Sequence, residues 1–584
     1  MSIDIITDNI DIWTSAIKTR SSTGRGSSKK LDLYGIKKMR ELILELAVRG
    51  KLVPQDPNDE PASVLLERIA AEKAQLVKEK KIKKPKALAE IGEDEKPFSL
   101  PYGWAFARIT DVINRMSNGF SGKQNKEGDG YPLTRIETIS HSTMNYSKVG
   151  FSPKIPIEKL EYYQLQKGDI LLSHINSDYH VGKTAIFNGN CEIYHGVNLL
   201  LLRCSHQFSP YYLDLIINQR RLSGYFLSVA QHAIGQSSIN QSIVQSVVVA
   251  APPLKEQQRI VAKVDELMAL CDQLEEQTET SIEAHATLVE TLLATLTNSA
   301  NAAELQQNWT RLADHFDTLF TTEQSIDQLK QTVLQLAVMG KLVPQDPNGE
   351  PAAVLLEKIA DEKAQLVKEK KIKKQKALPP IGEDEKPFAL AKGWEWCRLQ
   401  ETVLILGDGL HGTPHYDEKG EYYFVNGNNL RDGKIVIKPE TKRVNQKEYD
   451  KYRKQLNERT VLVSINGTLG SVAFYNDEPV MLGKSACYFS LWDQLDKYFY
   501  KRLIESPYFL EYAFSRATGS TIKNLGLKAM NAMPIALPPL EEQHRIVSKI
   551  DQLMTLCDQL KARLQDAQKA QLHLADALVE QAVD

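Results

Sequence analysis

Apolar residues at alternating four- and three-residue intervals mark two stretches of the chain. Ile260, Val264, Leu267, Cys271 and Leu274 fall on one stripe, and Ile546, Ile550, Leu553, Cys557 and Leu560 repeat it 286 residues downstream. This is the a/d seam of a coiled coil rather than the broader face of a globular helix. A proline pair precedes each seam, Pro252-Pro253 and Pro538-Pro539. Proline ends a preceding ladder and presets φ, so helices are predicted to begin near Leu254 and Leu540. The first seam turns polar at Thr278, Ser281 and His285 and is predicted to return at Leu288 and Leu292. The second runs through Leu564, Ala567 and Gln571 and is predicted to return at Leu574 and Leu578. Two helices of matched length are then available to pair. The strings Arg-Ile-Val, Leu-Met and Leu-Cys-Asp-Gln-Leu recur in register, which argues against two unrelated amphipathic helices.

A second repeat lies upstream of each seam. A short helix around Ile10 to Lys18 and a flexible Ser/Gly/basic loop, SSTGRGSSKK, are predicted first. A helix from about Leu33 to Val48 follows, with Gly50 as its C-cap. Lys51 to Phe98 then matches Lys341 to Phe388 at 41 of 48 positions. Pro-Ala opens a helix in each copy, Val64 to about Lys81 and Val354 to about Lys371. Each ends in a lysine cluster, Lys78 to Lys86 and Lys368 to Lys376, read as a solvated helix end with phosphate contact as the alternative. The string Glu93-Asp94-Glu95-Lys96, repeated at 383–386, reads as solvated linker rather than a nuclease site. Helices at about 308–319 and 325–338 lead into the second copy.

Between the repeats lie blocks 102–250 and 392–536, unlike each other in most of their length. Both look α/β with short strands (GDILLSHI and KTAIFNG; TVLVSING and SVAFYND) separated by Asn-Gly, Asp-Gly and Gly-Asn turns. Both open with Gly-Trp (Gly103-Trp104, Gly393-Trp394). The fold class is α+β and multidomain: two α/β domains, a pair of long antiparallel coiled-coil helices and a pseudo-twofold internal repeat. The predicted segments are 1–100, 101–251, 252–300, 301–391, 392–537 and 538–584.

Composition narrows the picture. At 584 residues one core is not enough, and 42% hydrophobic with 25% charged residues reads as globular. No run of 18 apolar residues and no signal-type leader is present, so a cytoplasmic protein without membrane contact is expected. The six cysteines, Cys191, Cys204, Cys271, Cys397, Cys487 and Cys557, form no C-x-x-C pair, and neither disulfide framework nor zinc site is expected. Net charge is −2, weakly against a free-standing nucleic-acid binder. Its distribution is more informative: 101–250 carries 13 basic and 10 acidic residues, 393–537 carries 19 and 17, and the acidic excess lies in the rest.

The order of parts, the Gly-Trp openings, Gly168-Asp169-Ile170-Leu171, the Gly519-to-Asn524 turn and the repeated Pro-Pro-Leu-x-Glu-Gln-x-Arg-Ile-Val helix resemble the DNA-specificity subunit of type I restriction-modification systems. The resemblance covers nearly the whole chain. It implies that each block is a target-recognition domain reading one half of a bipartite double-stranded DNA sequence. It also implies that the long helices act as spacer and docking surface for two methyltransferase subunits, which restriction subunits join. S-adenosylmethionine, ATP and magnesium are then expected on the partners and none on this chain. The residues agree independently with a ruler: the helix Leu254 to Leu296 spans about 65 Å at about 1.5 Å per residue, against about 34 Å for half-sites one DNA turn apart.

Catalytic motifs fail inspection. Gly182-Lys183-Thr184 and Gly483-Lys484-Ser485 imitate the end of a Walker A loop, but Ser177 and Glu478 stand where its first glycine belongs. No Asn-Pro-Pro-Tyr or Asp-Pro-Pro-Tyr element of an adenine methyltransferase occurs, and the twelve histidines have no metal-ligand spacing. A non-catalytic recognition subunit is the leading reading; the alternatives are a structural coiled-coil DNA-organising protein and an enzyme acting alone on DNA.

Base readout needs planar donor-acceptor side chains on turns. In the first block the candidates are Asn118, Lys123, Gln124, Asn125, Lys126, Arg135, Asn176, Tyr179, Lys183, Gln236, Ser237 and Asn240. In the second they are His411, Thr413, His415, Asn426, Asn428, Asn429, Arg431, Asn466, Thr468, Lys484, Thr518, Ser520, Lys523 and Asn524. Each Asn-Gly alone also fits an ordinary hairpin turn.

Overall fold

The computed structural model describes residues 2–20, 30–84, 88–125, 127–140, 143–178, 180–233 and 236–583. The expected Ser/Gly/basic loop falls, from 21 to 29, outside them. The framework helices are α1 (Tyr34–Val48), α2 (Ala62–Lys78), α3 (Leu254–Asn298), α4 (Ala302–Asp314), α5 (Glu323–Val338), α6 (Ala352–Lys368) and α7 (Leu540–Val583). α1 and α5 close as glycine C-caps do: Gly50 and Gly340 sit at φ +68°, and the N–H of Lys51 or Lys341 reaches back to Leu46 or Leu336 at 2.9 Å. α2 and α6 stop three residues before their predicted ends. Lys80 and Lys370 adopt φ +58°, and Lys81 and Lys371 donate back to Leu76 and Leu366 at 2.9 Å. A lysine thus takes the left-handed position that glycine usually fills, which sequence alone does not announce. A helix over Ser2–Thr7 precedes the expected one, observed at Ile10–Ser15.

The chain divides into two compact units, and the division cuts both long helices. Unit 1 comprises residues 1–281 and 567–584; unit 2 comprises 282–566. Both units therefore draw on several of the segments read from the sequence. At about 1.5 Å per residue, the 45 residues of α3 span roughly 68 Å. Ile260, Val264, Leu267, Cys271, Leu274, Ile546, Ile550 and Cys557 are buried, and Leu553 and Leu560 half-buried.

In unit 2 the seam of α7 shares a core with Ile326, Leu329, Val333 and Ala337 of α5. Lys561 pairs with Asp327 at 2.9 Å, and Lys330 pairs with Asp558. The equivalent pairs in unit 1 join Arg40 of α1 to Asp272 at 2.6 Å and Glu275 at 2.8 Å on α3. Each seam is thus engaged by the shorter helix of its own repeat, a partner the sequence reading did not assign.

The expected return of the seam is off by one residue. Leu288 and Leu574 are each 50% exposed, whereas Val289, Leu293 and Leu296, and Ala575 and Ala582, are buried. A straight helix drifts about 20° per heptad against a strict seven-residue repeat. Two heptads of drift come to about 40°, short of the roughly 100° between successive residues, so new neighbours set the inward face: Val289, Leu293 and Leu296 share a core with Leu312, Leu319 and Phe320. Each far end is then gripped by a basic residue of the repeat in its unit. Lys51 Nζ donates to the Val583 carbonyl at 2.7 Å; Lys341 Nζ donates to those of Thr297 and Ser299 at 2.8 and 3.0 Å.

The blocks, unlike in sequence, share one topology. In unit 1, β1 (Ala105–Arg108) pairs with β6 (Val248–Ala251) as a two-stranded ribbon at the base of the block. Between them β2 (Ile113–Asn118), β3 (Ile170–Leu172), β4 (Thr184–Ile186) and β5 (Leu200–Cys204) form an antiparallel sheet of order β4-β3-β5-β2. In unit 2, β7 (Glu395–Arg398) pairs with β12 (Pro534–Leu537). There β8 (Val403–Asp408), β9 (Thr460–Ser464), β10 (Val472–Phe474) and β11 (Ala486–Leu491) form the order β8-β11-β9-β10. Reversed, this is the order of the first sheet, strand for strand.

The repeated motifs fasten block to framework. Gln257 and Gln543, fully buried, each donate to the carbonyl of the first proline of the pair at 3.0 Å. Their carbonyl oxygens accept from the N–H of Ser209 and Asp496 at 2.9 and 3.0 Å. Trp394 donates to the buried Glu542 carboxylate at 2.9 Å. The acidic linker is more than solvated. Glu95 and Glu385 pair with the buried Arg108 and Arg398 at 2.9 and 2.8 Å, and Arg398 holds the Glu385 carboxyl down to about 2. Among the described residues no helix is long and apolar enough to cross a membrane.

Candidate nucleic-acid interface

In unit 2 the strands deliver five loops to one end of the sheet. β8 ends at Asp408 beside Cys487 near the start of β11, and β9 ends at Ser464 beside Ala486. The strand Tyr422–Val425 runs parallel to Val480–Leu482, so Asn426 emerges beside Gly483. The closing turn joins them: Asn466 bridges Asn524 in backbone and side chain, and Thr518 bridges Asn524 across the turn. Packing here is tight. A Cβ on Gly409 would lie 2.1 Å from the Leu482 carbonyl, and one on Gly483 2.2 Å from Asn426 Oδ1.

These loops collect most of the predicted residues of the second block. His411, Thr413, His415, Asn428, Thr468, Lys484, Thr518, Ser520 and Asn524 are exposed there, and Asn426, Asn466 and Lys523 half-buried. His411 pairs with Asp408 at 2.6 Å. Two candidates are placed otherwise. Asn429 is 4% exposed and clips its own turn, accepting from the Asn426 N–H at 3.0 Å and donating to the Val436 carbonyl at 3.0 Å. Arg431 is exposed, but on a two-residue hairpin with Asp432 and Gly433 at φ +49° and +80°. Gly433 pairs with Ala473, so this hairpin lies along the β10 edge rather than among the loops.

Unit 1 builds the same end with different side chains. Hydrogen bonds fix the register: Phe120 donates to His195 as Leu410 does to Leu482, and Ile239 to His174 as Leu525 does to Ile465. Likewise Gly182 donates to Ser173 as Gly470 does to Ser464. Arg135 therefore stands at the Asn426 position, Glu137 at Asn428, Thr138 at Asn429, Ile175 at Asn466 and Val197 at Lys484. Asn118 and Lys123 are exposed here, and Gln124, Arg135, Asn176 and Lys183 half-buried. Lys126 and Tyr179 lie outside the described residues, and Gln236 is placed by its pairing with Ala233.

Three candidates of the first block hold loops. Asn125 donates to the Asp129 carbonyl at 2.9 Å and accepts from Glu127 at 3.1 Å; Asn240 caps the helix Gln241–Ser246, accepting from Ile243 at 2.9 Å. Ser237 is 1% exposed and hydrogen-bonded to Asp178 and His232. One buried histidine differs between the units. His195, fully buried with Nε2 3.0 Å from the Leu199 carbonyl, has its pKa pushed down to about 3 by burial, with Arg115 and Arg203 adding to the effect. Leu482 fills that position in unit 2.

The sequence reading missed a basic stretch. Residues 431–459 hold ten Lys or Arg against five Asp or Glu, and Lys442, Arg443, Lys447, Lys451 and Arg453 are exposed. The strand Arg443–Val444 pairs with the one leading into Asn426, and Arg443 lies 4.6 Å over the Tyr423 ring. Charge density over thirty residues was the available signal, suited to phosphate contacts. The Gly-Lys-Thr and Gly-Lys-Ser strings lead into strands β4 and β11, where a Walker loop leads into a helix.

Comparison with known proteins bears on this arrangement. The family model described as "Type I restriction modification DNA specificity domain" matches residues 101–284 and 392–568. The type I restriction enzyme EcoAI specificity subunit of Escherichia coli is 42% identical over 603 aligned residues, covering 100% of both chains. The EcoEI specificity subunit of Escherichia coli is 41% identical over 596, covering 99% of both. The solved HsdS subunit of Thermoanaerobacter tengcongensis aligns at 18% identity and a TM-score of 0.41, covering 84% of this chain and 98% of that one.

Proposed function

The chain belongs to the type I restriction-modification DNA specificity family, and from that premise we propose that each unit reads one half of an asymmetric, bipartite double-stranded DNA target with the loop end of its four-stranded sheet. The observation that carries this is the double occurrence of one strand order with different side chains at matching loop positions. A shared scaffold bearing unlike readers suits two half-sites of unlike sequence. The exposed lysines and arginines of 431–459 supply phosphate contacts beside the second set of loops. A structural coiled-coil protein without sequence preference has no use for two such loop sets, and its relatives' identity speaks against it.

The remaining roles fall to the framework. The long helices set the distance between half-sites and offer docking surface to two methyltransferase subunits, which restriction subunits join. Those partners bring the S-adenosylmethionine, ATP and magnesium that the reactions require. Recognition without catalysis is the work of this chain.

The test exchanges residues 392–536 for the corresponding block of a relative and maps methylation by the complex assembled with its methyltransferase. One half-site should change and the other stay. A change in both together would contradict independent reading.

A further inference from the structure

The turn after Tyr131–Leu133 in unit 1 and after Tyr422–Val425 in unit 2 separates scaffold from side chain. Counted over Arg135–Thr138 and Asn426–Asn429, its fourth residue is an internal clip in both. Thr138 Oγ1 accepts from the Arg135 N–H at 2.8 Å and donates to the Lys148 carbonyl at 2.9 Å; Asn429 Oδ1 accepts from the Asn426 N–H at 3.0 Å while its amide donates inward. Both clips are buried, at 0% and 4%. The third residue, Glu137 or Asn428, is exposed in both. Glycine lets the next strand pass close beneath: a Cβ on Gly196 would lie 2.0 Å from the Thr134 carbonyl. One backbone is thus fixed twice, by different chemistry, and presents different groups.

Those groups are complementary to different base pairs. Arg135 and Glu137 form a pair 3.4 Å apart, a donor fork beside an acceptor. Guanine offers two acceptors in the major groove and its cytosine a donor, which is the opposite pattern. Asn428 offers the donor and acceptor that adenine matches at N6 and N7. Resting on the reading above, we infer that this turn is the base-reading corner of each unit. In unit 1 it specifies a G·C pair through Arg135 and Glu137, and in unit 2 an A·T pair through Asn428.

The test uses the full chain assembled with its methyltransferase, on DNA varied one base pair at a time across both half-sites. Binding and methylation are scored for R135K, R135A, E137Q and N428A. Lys484→Ala serves as a second loop variant, and the thermal transition of each protein reports folding. Preference should fall about 5- to 150-fold at one G·C position of one half-site for the unit 1 variants, R135K included, because lysine keeps the charge but loses the fork. It should fall at one A·T position of the other half-site for N428A. Equal weakening on all sequences, or an unchanged preference while Lys484→Ala still weakens binding, would overturn the corner alone. Undiminished binding in every variant, Lys484→Ala included, would overturn the reading on which it rests.

Discussion

In residues 51–98 and 341–388 the two units share sequence as well as structure, 41 of 48 positions being identical; in the blocks carried on those frameworks they share strand order and loop register but few side chains. The framework repeats contacts that must recur in kind. A left-handed lysine closes α2 and α6, a buried arginine pairs with the linker carboxylate, and a lysine grips the far end of a long helix. The last two are side-chain contacts, which constrain those residues, whereas the lysine closure is a backbone conformation. The block scaffold depends on backbone pairing, a few glycines where strands cross closely, and apolar filling, which many sequences satisfy. Loop side chains other than clips such as Thr138 and Asn429 are left free to vary by the fold, and there the units differ: Arg135 against Asn426, Val197 against Lys484.

This contrast can be broken at the framework first. Ile550→Ala empties a fully buried seam position between α7 and α5. It should destabilise unit 2 by about 2–5 kcal/mol, read as a drop in its chemical-unfolding midpoint. A change near zero would mean that the seam is not packed as described. Next comes the block scaffold. Gly409→Ala pushes a Cβ to 2.1 Å of the Leu482 carbonyl, and overpacking of that kind costs about 1–3 kcal/mol. Gly119→Ala, against the His195 carbonyl at 2.3 Å, should do the same in unit 1. If only one of the two were damaging, the shared register would be wrong.

A subtler difference separates the two blocks from each other. The His195 pKa is lowered from 6.5 to about 3 in the fold, so below pH 6.5 the unfolded chain binds a proton that the folded one refuses. Its contribution is therefore intact above pH 6.5 and is lost as pH falls toward 3, at up to about 1.4 kcal/mol per pH unit. Burial pushes the Asp214 carboxyl of the same unit up to about 6, which works in the opposite sense as pH falls, so the His195 effect is read as a difference between proteins: His195→Leu, copying Leu482, should lose less stability than the parent chain over this window. Unfolding followed from pH 7 to 4 by a probe in each unit would check it. The smallest effect concerns the seam phase: Leu574→Ala, at a 50% exposed position, should stay within about 0.5 kcal/mol. A loss comparable to Ile550→Ala would restore the phase expected from strict heptads.

The sequence made the framework legible because its signals are local. Proline pairs marked the starts of α3 and α7 to the residue, and Gly50 marked the end of α1. The blocks' common topology was not legible. Strands of three to six residues pair across long separations, Asn118 with Leu200 and Asp408 with Cys487, and nothing near either strand names the other. Among the loop candidates, composition picked turns but could not tell an exposed amide from an internal clip. Asn429, Asn240 and Ser237 are as polar as Asn428, yet their hydrogen bonds point into the protein. An amide on a turn serves the turn as readily as a ligand. The basic stretch at 431–459 went unweighted because the reading sought planar amides around glycine.

The central claim, that two unlike readers stand on one duplicated scaffold, is tested most directly by sequencing the methylated adenines of the genome in which this system operates. The account predicts one motif with two specified halves of different sequence, separated by an unspecified spacer of fixed length. A single continuous site, or two identical halves, would contradict it.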